Sequence, residues 1–372
     1  MVTPESQHSS TPSLQRSACF VAGCFAIPVL AATPYGTGHI HDTFRVRSSS
    51  GDFILQRINT RIFKDPRAVM ENIVRVTEHL RGKLAVTPGA DPSREALRLI
   101  PAKDGTPWFV DNDGSFWRMF AFIGGAVTHE VCAAPEHAFE AARVVARFQK
   151  LLSDLPGGPL HETIPFFHHA PRRLLALEEA VSKDAAGRCA AAKAEIEFAL
   201  SRRELAHSVA RRIEAGQIPV RVTHNDTKLN NVLFDEASGR GLCLVDLDTC
   251  MPGSVLYDFG DMVRTMTCPA AEDETDLSRV GMELRFFEAL VRGYLGEARE
   301  FLCANEIGNL ALSGRLMTFV VGVRFLTDYL SGDTYFKVHH PGHNLDRARN
   351  QFKRVRSMEK QEGEMEAIVA ET

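Results

Sequence analysis

The stretch Val222–Asp248, VTHNDTKLNNVLFDEASGRGLCLVDLD, decides how this chain is read. It sets His224, Asp226, Lys228, Asn231, Asp246 and Asp248 around one strand–loop–strand turn. Asp226 and Asn231 stand five apart with Lys228 between them, the H-x-D-x-K-x-x-N spacing of a phosphoryl-transfer loop. An apolar strand, Leu242 to Val245, then delivers Asp246 at its end, where that chemistry needs a metal ligand.

Phosphoryl transfer needs an acceptor for the substrate proton, a divalent metal on the phosphates and positive charge on the transferred group. Asp226 is placed to orient and deprotonate an attacking hydroxyl. Asn231 and Asp246 supply the hard oxygens that magnesium prefers. Lys228 is the cation for the transferred group. Asp248 has two readings, a further metal ligand or a brace for the loop. Turns collect Asp and Asn for backbone reasons alone, but that explains one or two of these residues and not the whole set.

The 372 residues carry 44% hydrophobic and 24% charged side chains and a net charge of −4. That composition is ordinary for a soluble globular chain and offers no basic field for nucleic acid. Eight cysteines without a C-x-x-C pair speak against a zinc site and against a disulfide framework. The expected compartment is therefore the cytoplasm. After Arg16, the segment SACFVAGCFAIPVLAA has the look of a short secretory h-region. ATP chemistry downstream favours instead an apolar helix and turn packed under the first strand and broken at Pro28. The first fifteen or so residues are expected to be disordered.

The expected fold class is α+β and bilobal. Residues 1–124 form an N-terminal segment and a nucleotide-binding lobe, and residues 125–372 a larger helical lobe with the catalytic loop and substrate pocket. In the first, strands Thr43–Val46 and Phe53–Ile58 precede a helix from Asp65-Pro66 to about Leu80. Asp111-Asn112-Asp113-Gly114 marks a hairpin, and Gly124-Gly125 a hinge. Helices are expected over Glu136–Leu152, Arg172–Ala215 (a pair), Leu256–Met266, Asp276–Leu295 and Leu310–Leu330, with no transmembrane run.

HNDTKLNNVLF (224–234) followed by LCLVDLDTCMPGSVLYDFGDMVR (242–264) resembles the aminoglycoside phosphotransferase and choline kinase superfamily. Within it, YGTGHIHDTFRV (35–46), FILQRINTRIFKDPRAVMENI (53–73), LHETIPFFHH (160–169) and RFLTDYLSGDTYFK (324–337) resemble the N-acetylhexosamine 1-kinases, over residues 30 to 355 or so. The resemblance implies ATP, magnesium and phosphorylation of the anomeric hydroxyl of GlcNAc or GalNAc. It also implies Asp226 as base, Asn231 and Asp246 as metal ligands, and sugar contacts from His39, Asp42, Asp226, Arg324 and Tyr335. A small-molecule sugar is the expected partner, with neither nucleic acid nor membrane, and the chain is expected to be a monomer.

The sequence departs from the protein-kinase pattern. The glycine turn Gly36-Thr37-Gly38 is not a full G-x-G-x-x-G, and the third strand offers Gln56 and Arg57 where a lysine is usual. Arg57 is either the phosphate-facing cation, paired with Glu71, or a surface residue. Asp258-Phe259-Gly260 imitates a metal-binding motif but opens a helix, so Asp258 is read as a helix cap or a partner of Arg264 or His224. His168-His169 are read as partners of helix-end carbonyls, and Asn344 as the cap of a helix after a His-Pro-Gly turn. The rivals to a sugar kinase are a kinase of an aminoglycoside, choline or another hexose, and an inactive kinase-like binding protein. Cationic acceptors need carboxylates or an aromatic cage, whereas the helical lobe offers Arg324.

Overall fold

The structure is a computed structural model that describes residues 12–36 and 40–372. It comprises two compact units, residues 1–126, 155–164 and 246–249 in one and the remainder in the other.

The first unit is built on antiparallel strands β1 (Val29–Pro34), β2 (Asp42–Ser48), β3 (Gly51–Arg57), β4 (Leu99–Ile100), β5 (Phe109–Val110) and β6 (Phe116–Ala121). They run in the order β1-β2-β3-β6-β4, with β5 on β6. Helix α1 (Pro12–Ala22) packs on one face, where Ala18, Val21, Phe25, Phe44, Leu55, Trp117 and Met119 form a closed apolar cluster. Helix α2 (Pro66–Ala85) starts at Asp65, whose carboxylate accepts from the Arg67 and Ala68 N–H groups, with proline at the first turn. Its apolar stripe, Val69, Ile73, Val76, Leu80 and Leu84, is buried. Polar residues on the same helix hold the 155–164 segment. Asn72 exchanges hydrogen bonds with the His161 backbone at 2.8 and 2.9 Å, and Arg75 donates to the Pro156, Gly158 and Pro159 carbonyls.

The N-terminal apolar segment forms the expected helix and turn before Pro28, and the strand after Pro28 is the part the sequence did not announce. Only its first half is helical; beyond Pro28 the chain enters β1 and pairs with β2. Residues 12–15, expected to be disordered, belong to α1, and residues 1–11 lie outside the described residues. The Asp111–Gly114 hairpin forms, yet β6 makes its longer pairing with β3, a long-range contact no local signal announces.

The chain leaves this unit through β7 (Ala126–Val127). In the second unit come α3 (Pro135–Leu151), α4 (Ala170–Lys183), α5 (Lys193–Leu200), α6 (Arg203–Glu214), β8 (Arg221–Thr223), β9 (Val232–Asp235), β10 (Gly241–Leu244) and β11 (Met251–Gly253). Helices α7 (Val255–Met266), α8 (Leu284–Ala298), α9 (Ala304–Ile307), α10 (Leu310–Leu330), α11 (His343–Lys360) and α12 (Glu362–Glu371) complete it. The pair expected over Arg172–Ala215 is three helices, and α8 starts after Glu283 rather than at Asp276. Asn344 is not a cap. Gly342, with φ +84°, holds that place, and the Asn344 amide donates to Asp328 and Asp333.

By length and composition α10 could cross a membrane, contrary to the sequence reading, but 78% of its apolar window is buried against the other helices. Small residues let helices of this unit approach closely. A Cβ on Gly260 of α7 would stand 2.3 Å from the Ser313 carbonyl oxygen of α10, and one on Gly293 of α8 would stand 2.2 Å from Phe139 O of α3. Gly260→Ala should therefore force α7 off α10 and destabilise the fold by about 1–3 kcal/mol, lowering Tm by several degrees. An unchanged melting curve would show that the two helices are not so closely packed.

Candidate functional site

The 224–231 loop is fixed by a buried carboxylate from α7. Asp258 Oδ2 accepts from the His224 N–H at 2.9 Å, and Oδ1 from the Asn225 N–H at 2.6 Å. Gln149 Nε2 donates to Oδ2 at 2.6 Å, and the Thr227 hydroxyl donates to the Asp258 carbonyl at 2.6 Å. Asn225 sits at φ +65°, a left-handed conformation that costs energy outside glycine and needs such support. Of the roles expected for Asp258, the partnership with His224 is the one formed, through the His224 N–H. Ser254 caps α7, and Arg264 pairs with Asp261 and Glu272. Burial pushes the Asp258 carboxyl up against the opposing pull of His224 and the backbone donors.

This loop brings Asp226, Lys228 and Asn231 together. Lys228 Nζ and Asn231 Nδ2 both reach Asp226 Oδ2 at 2.9 Å. Burial alone would raise the Asp226 pKa, but Lys228, His224 and the Asn231 amide outweigh it and hold the carboxyl below its ordinary range. The Asp226 carboxylate is thereby ionised at neutral pH. Because the Asn231 amide nitrogen faces Asp226, its Oδ1 is the atom left for a cation. His224 braces the next strand through Nε2, 2.9 Å from Val245 O, and the Val245 N–H returns to Asn231 O at 2.9 Å. Asp246 is the following residue, at φ +61°.

In the first unit, Asp248 lies in a buried charge cluster. Arg118 forms a two-pronged pair with it, Nη1 to Oδ1 at 2.7 Å and Nη2 to Oδ2 at 2.6 Å, and each side chain is 1% exposed. The Thr163 hydroxyl donates to the Asp248 carbonyl at 2.8 Å. Burial would raise this carboxyl, yet the Arg118 charge holds it far below the usual range. Of the two roles expected for Asp248, these are the contacts of a brace. His41, Asp246 and Asp248 do bring one donor atom each within 4.8 Å of one another. However, the His41 Nδ1 accepts from the Asn59 N–H at 3.1 Å, which leaves the proton on Nε2, 3.5 Å from Asp248. A protonated imidazole nitrogen binds no metal. By its chemistry, a carboxylate oxygen of this trio, rather than the His41 nitrogen, would suit magnesium.

The pairing expected between Arg57 and Glu71 is not formed. Arg57 pairs with Asp42 at 2.5 Å, and Glu71 with His161 at 2.8 Å. Besides the Arg45–Asp52 pair, β3 engages Arg118 of β6, whose Nε donates to Gln56 Oε1 at 3.0 Å. Asp42, expected at a sugar, faces Arg57 instead. Gly36 adopts φ +78°, as a glycine turn allows. Gly38 and His39 lie outside the described residues.

Arg324 and Tyr335 do come together, in a pocket of about 220 Å³ within the helical unit, lined also by Arg173, Asp328, Thr334 and Phe336. The Arg324 guanidinium lies 5.3 to 5.7 Å from the ring centres of Phe167, Phe336 and Tyr335. Asp226 is near enough for its charge to favour the Arg324 cation.

The family model described as the phosphotransferase enzyme family matches residues 31–302. The chain belongs to this family. It is a phosphotransferase, with the β-rich and helical regions of a kinase-like fold. Among solved structures it is similar to a microcompartment-associated aminopropanol kinase, 15% identical, TM-score 0.59, covering 94% of this chain and 98% of that one. An aminoglycoside phosphotransferase from Alicyclobacillus acidocaldarius is 13% identical, TM-score 0.59, covering 99% and 98%. A choline/ethanolamine kinase family protein from Mesorhizobium loti is 17% identical, TM-score 0.52, covering 98% and 97%.

Three residues of this phosphotransferase were not singled out as site residues from sequence. Arg118 had a signal, a lone cation inside the apolar strand FWRMFA. Arg173 and the role of His168 had none. His168 was read as serving a helix end; instead its Nε2 donates to the Asn225 carbonyl of the loop at 2.7 Å, and His169 opens α4. Burial brings the His168 pKa from 6.5 down to about 3. Between those values the unfolded chain holds one proton more, so stability falls as pH drops, by about 1.4 kcal/mol per pH unit. His168→Gln should remove that share, giving a shallower loss of urea-unfolding free energy between about pH 6 and 4. Equal slopes for both proteins would place a charged or exposed histidine at 168.

Proposed function

We propose that this phosphotransferase transfers the γ-phosphoryl of ATP to the anomeric hydroxyl of an N-acetylhexosamine. The observation that carries the choice of acceptor is the charge of the Arg173–Arg324 pocket. Its one carboxylate, Asp328, accepts from the Thr334, Tyr335 and Phe336 N–H groups and from Asn344, so its oxygens are occupied. A cationic acceptor would meet two guanidinium groups there, at about 3 kcal/mol for unit charges ~5 Å apart at an effective dielectric of ~20. That opposes choline, aminoalcohols and aminoglycosides, although relatives of the same fold act on them. An oxygen-rich sugar is matched by arginine donors. The sugar-kinase resemblance of residues 324–337 falls on this same pocket.

In this reading the acceptor hydroxyl points at Asp226. Its proton passes to the Asp226 carboxylate as its oxygen bonds to the γ-phosphorus, and the bond from that phosphorus to the departing ADP oxygen breaks. Lys228 leaves its resting contact with Asp226 to steady charge on the transferred group. Asn231 Oδ1 and the Asp246 carboxylate are the donors that fit magnesium, which when bound would neutralise charge on the ATP phosphates.

ADP release should occur with GlcNAc or GalNAc and stop with their 1-O-methyl glycosides. Turnover confined to choline or kanamycin would overturn the sugar assignment while keeping the phosphotransferase.

A further inference from the structure

Arg173 and Arg324 present an electrostatic problem that a neutral sugar does not solve. Among the described residues neither has a carboxylate at ion-pair distance. Arg173 donates only to the Phe166 and Phe167 carbonyls, the closest at 2.9 Å, and Arg324 is ringed by aromatic faces. Burial and the charge of Arg324 bring the Arg173 guanidinium down to about 10, and burial lowers Arg324 as well. Two like charges, partly stripped of water and facing one cavity, are costly unless a negative group joins them. Asp328 can offset at most one of the two charges, and its oxygens, which hold three backbone N–H groups and the Asn344 amide, pair directly with neither guanidinium. The other lining groups, Ala176, Thr327, Ser331, Thr334, Tyr335 and Phe336, bring no further acid.

We propose that this pocket is an anion subsite, and that the favoured acceptor is a hexose already bearing a carboxylate or phosphate. The planar guanidinium forks of Arg173 and Arg324 match either group. The body of the acceptor rests on the sugar-kinase reading above; the charge of the pocket does not.

The test compares kcat/KM for N-acetylglucosamine, its 6-phosphate and its 6-carboxylate in wild type, Arg173→Gln and Arg173→Lys. An acidic sugar should be preferred over the neutral one by roughly tenfold or more, as expected for added charged hydrogen bonds. Arg173→Gln should collapse that ratio, and Arg173→Lys should restore part of it. Equal use of neutral and acidic sugars by wild type would overturn the inference and leave the proposed function standing. Thermal unfolding with inorganic phosphate, without nucleotide, provides a readout apart from turnover. Phosphate should raise the wild-type Tm more than that of Arg173→Gln, even if no sugar is turned over and the sugar-kinase reading fails. An equal or absent rise in both proteins would overturn the anion subsite. Competition by free phosphate against the neutral sugar, with no gain from an acid group on the sugar, would assign the pocket to a free anion and overturn the acceptor claim.

Discussion

The helical unit depends on one buried carboxylate. Asp258 is fully enclosed, and its two oxygens take the N–H groups of His224 and Asn225 and the amide of Gln149. A carboxylate in that position is tolerable because each donor is aimed at it, and hydrogen bonds to a charge are worth roughly 1.5–3 kcal/mol apiece. The return is geometric. Asn225 is held at a positive φ, which turns the chain so that Asp226, Lys228 and Asn231 converge. His168 secures the outer side of the same turn by donating to Asn225 O. Because it is buried and neutral it adds no competing charge.

Much of this was legible in the sequence because it is local. The five-residue spacing of Asp226 and Asn231 fixes their approach through a single tight turn, and the helical stripes of α2, α3 and α10 declare themselves by period. What escaped reading is carried by pairs far apart in the chain. Arg118 and Asp248 are 130 residues apart, and neither predicts the other. The Arg57–Glu71 pair, by contrast, was inferred from a pattern in which the third-strand cation meets the following helix. Here Asp42, directly across the β2–β3 ladder, is the nearer partner and takes it. Asp258 was read as a partner of His224, but its further bonds to Asn225, Thr227 and Gln149 depend on how α7 and α3 pack. β1 was lost because a run of small apolar residues fits a strand as well as a helix.

Charge also separates the two units in kind. In the first, Asp248 and Arg118 cancel each other in a dry, bidentate pair, an arrangement suited to fixing a segment. In the second, among the described residues, Arg173 and Arg324 form no ion pair of their own, and Asp328 and Asp226 offset their charge only from a distance. The first pattern serves structure. The second marks a place where a ligand completes the electrostatics.

The proposed transfer turns on Asp226 as the base that takes the acceptor proton. It is tested most directly by turnover and nucleotide affinity of Asp226→Asn, which keeps the side-chain shape and removes the charge. If Asp226 is the base, kcat should fall by about 10²–10⁴-fold or more with ATP binding largely unchanged. Near-normal turnover in that variant would contradict it.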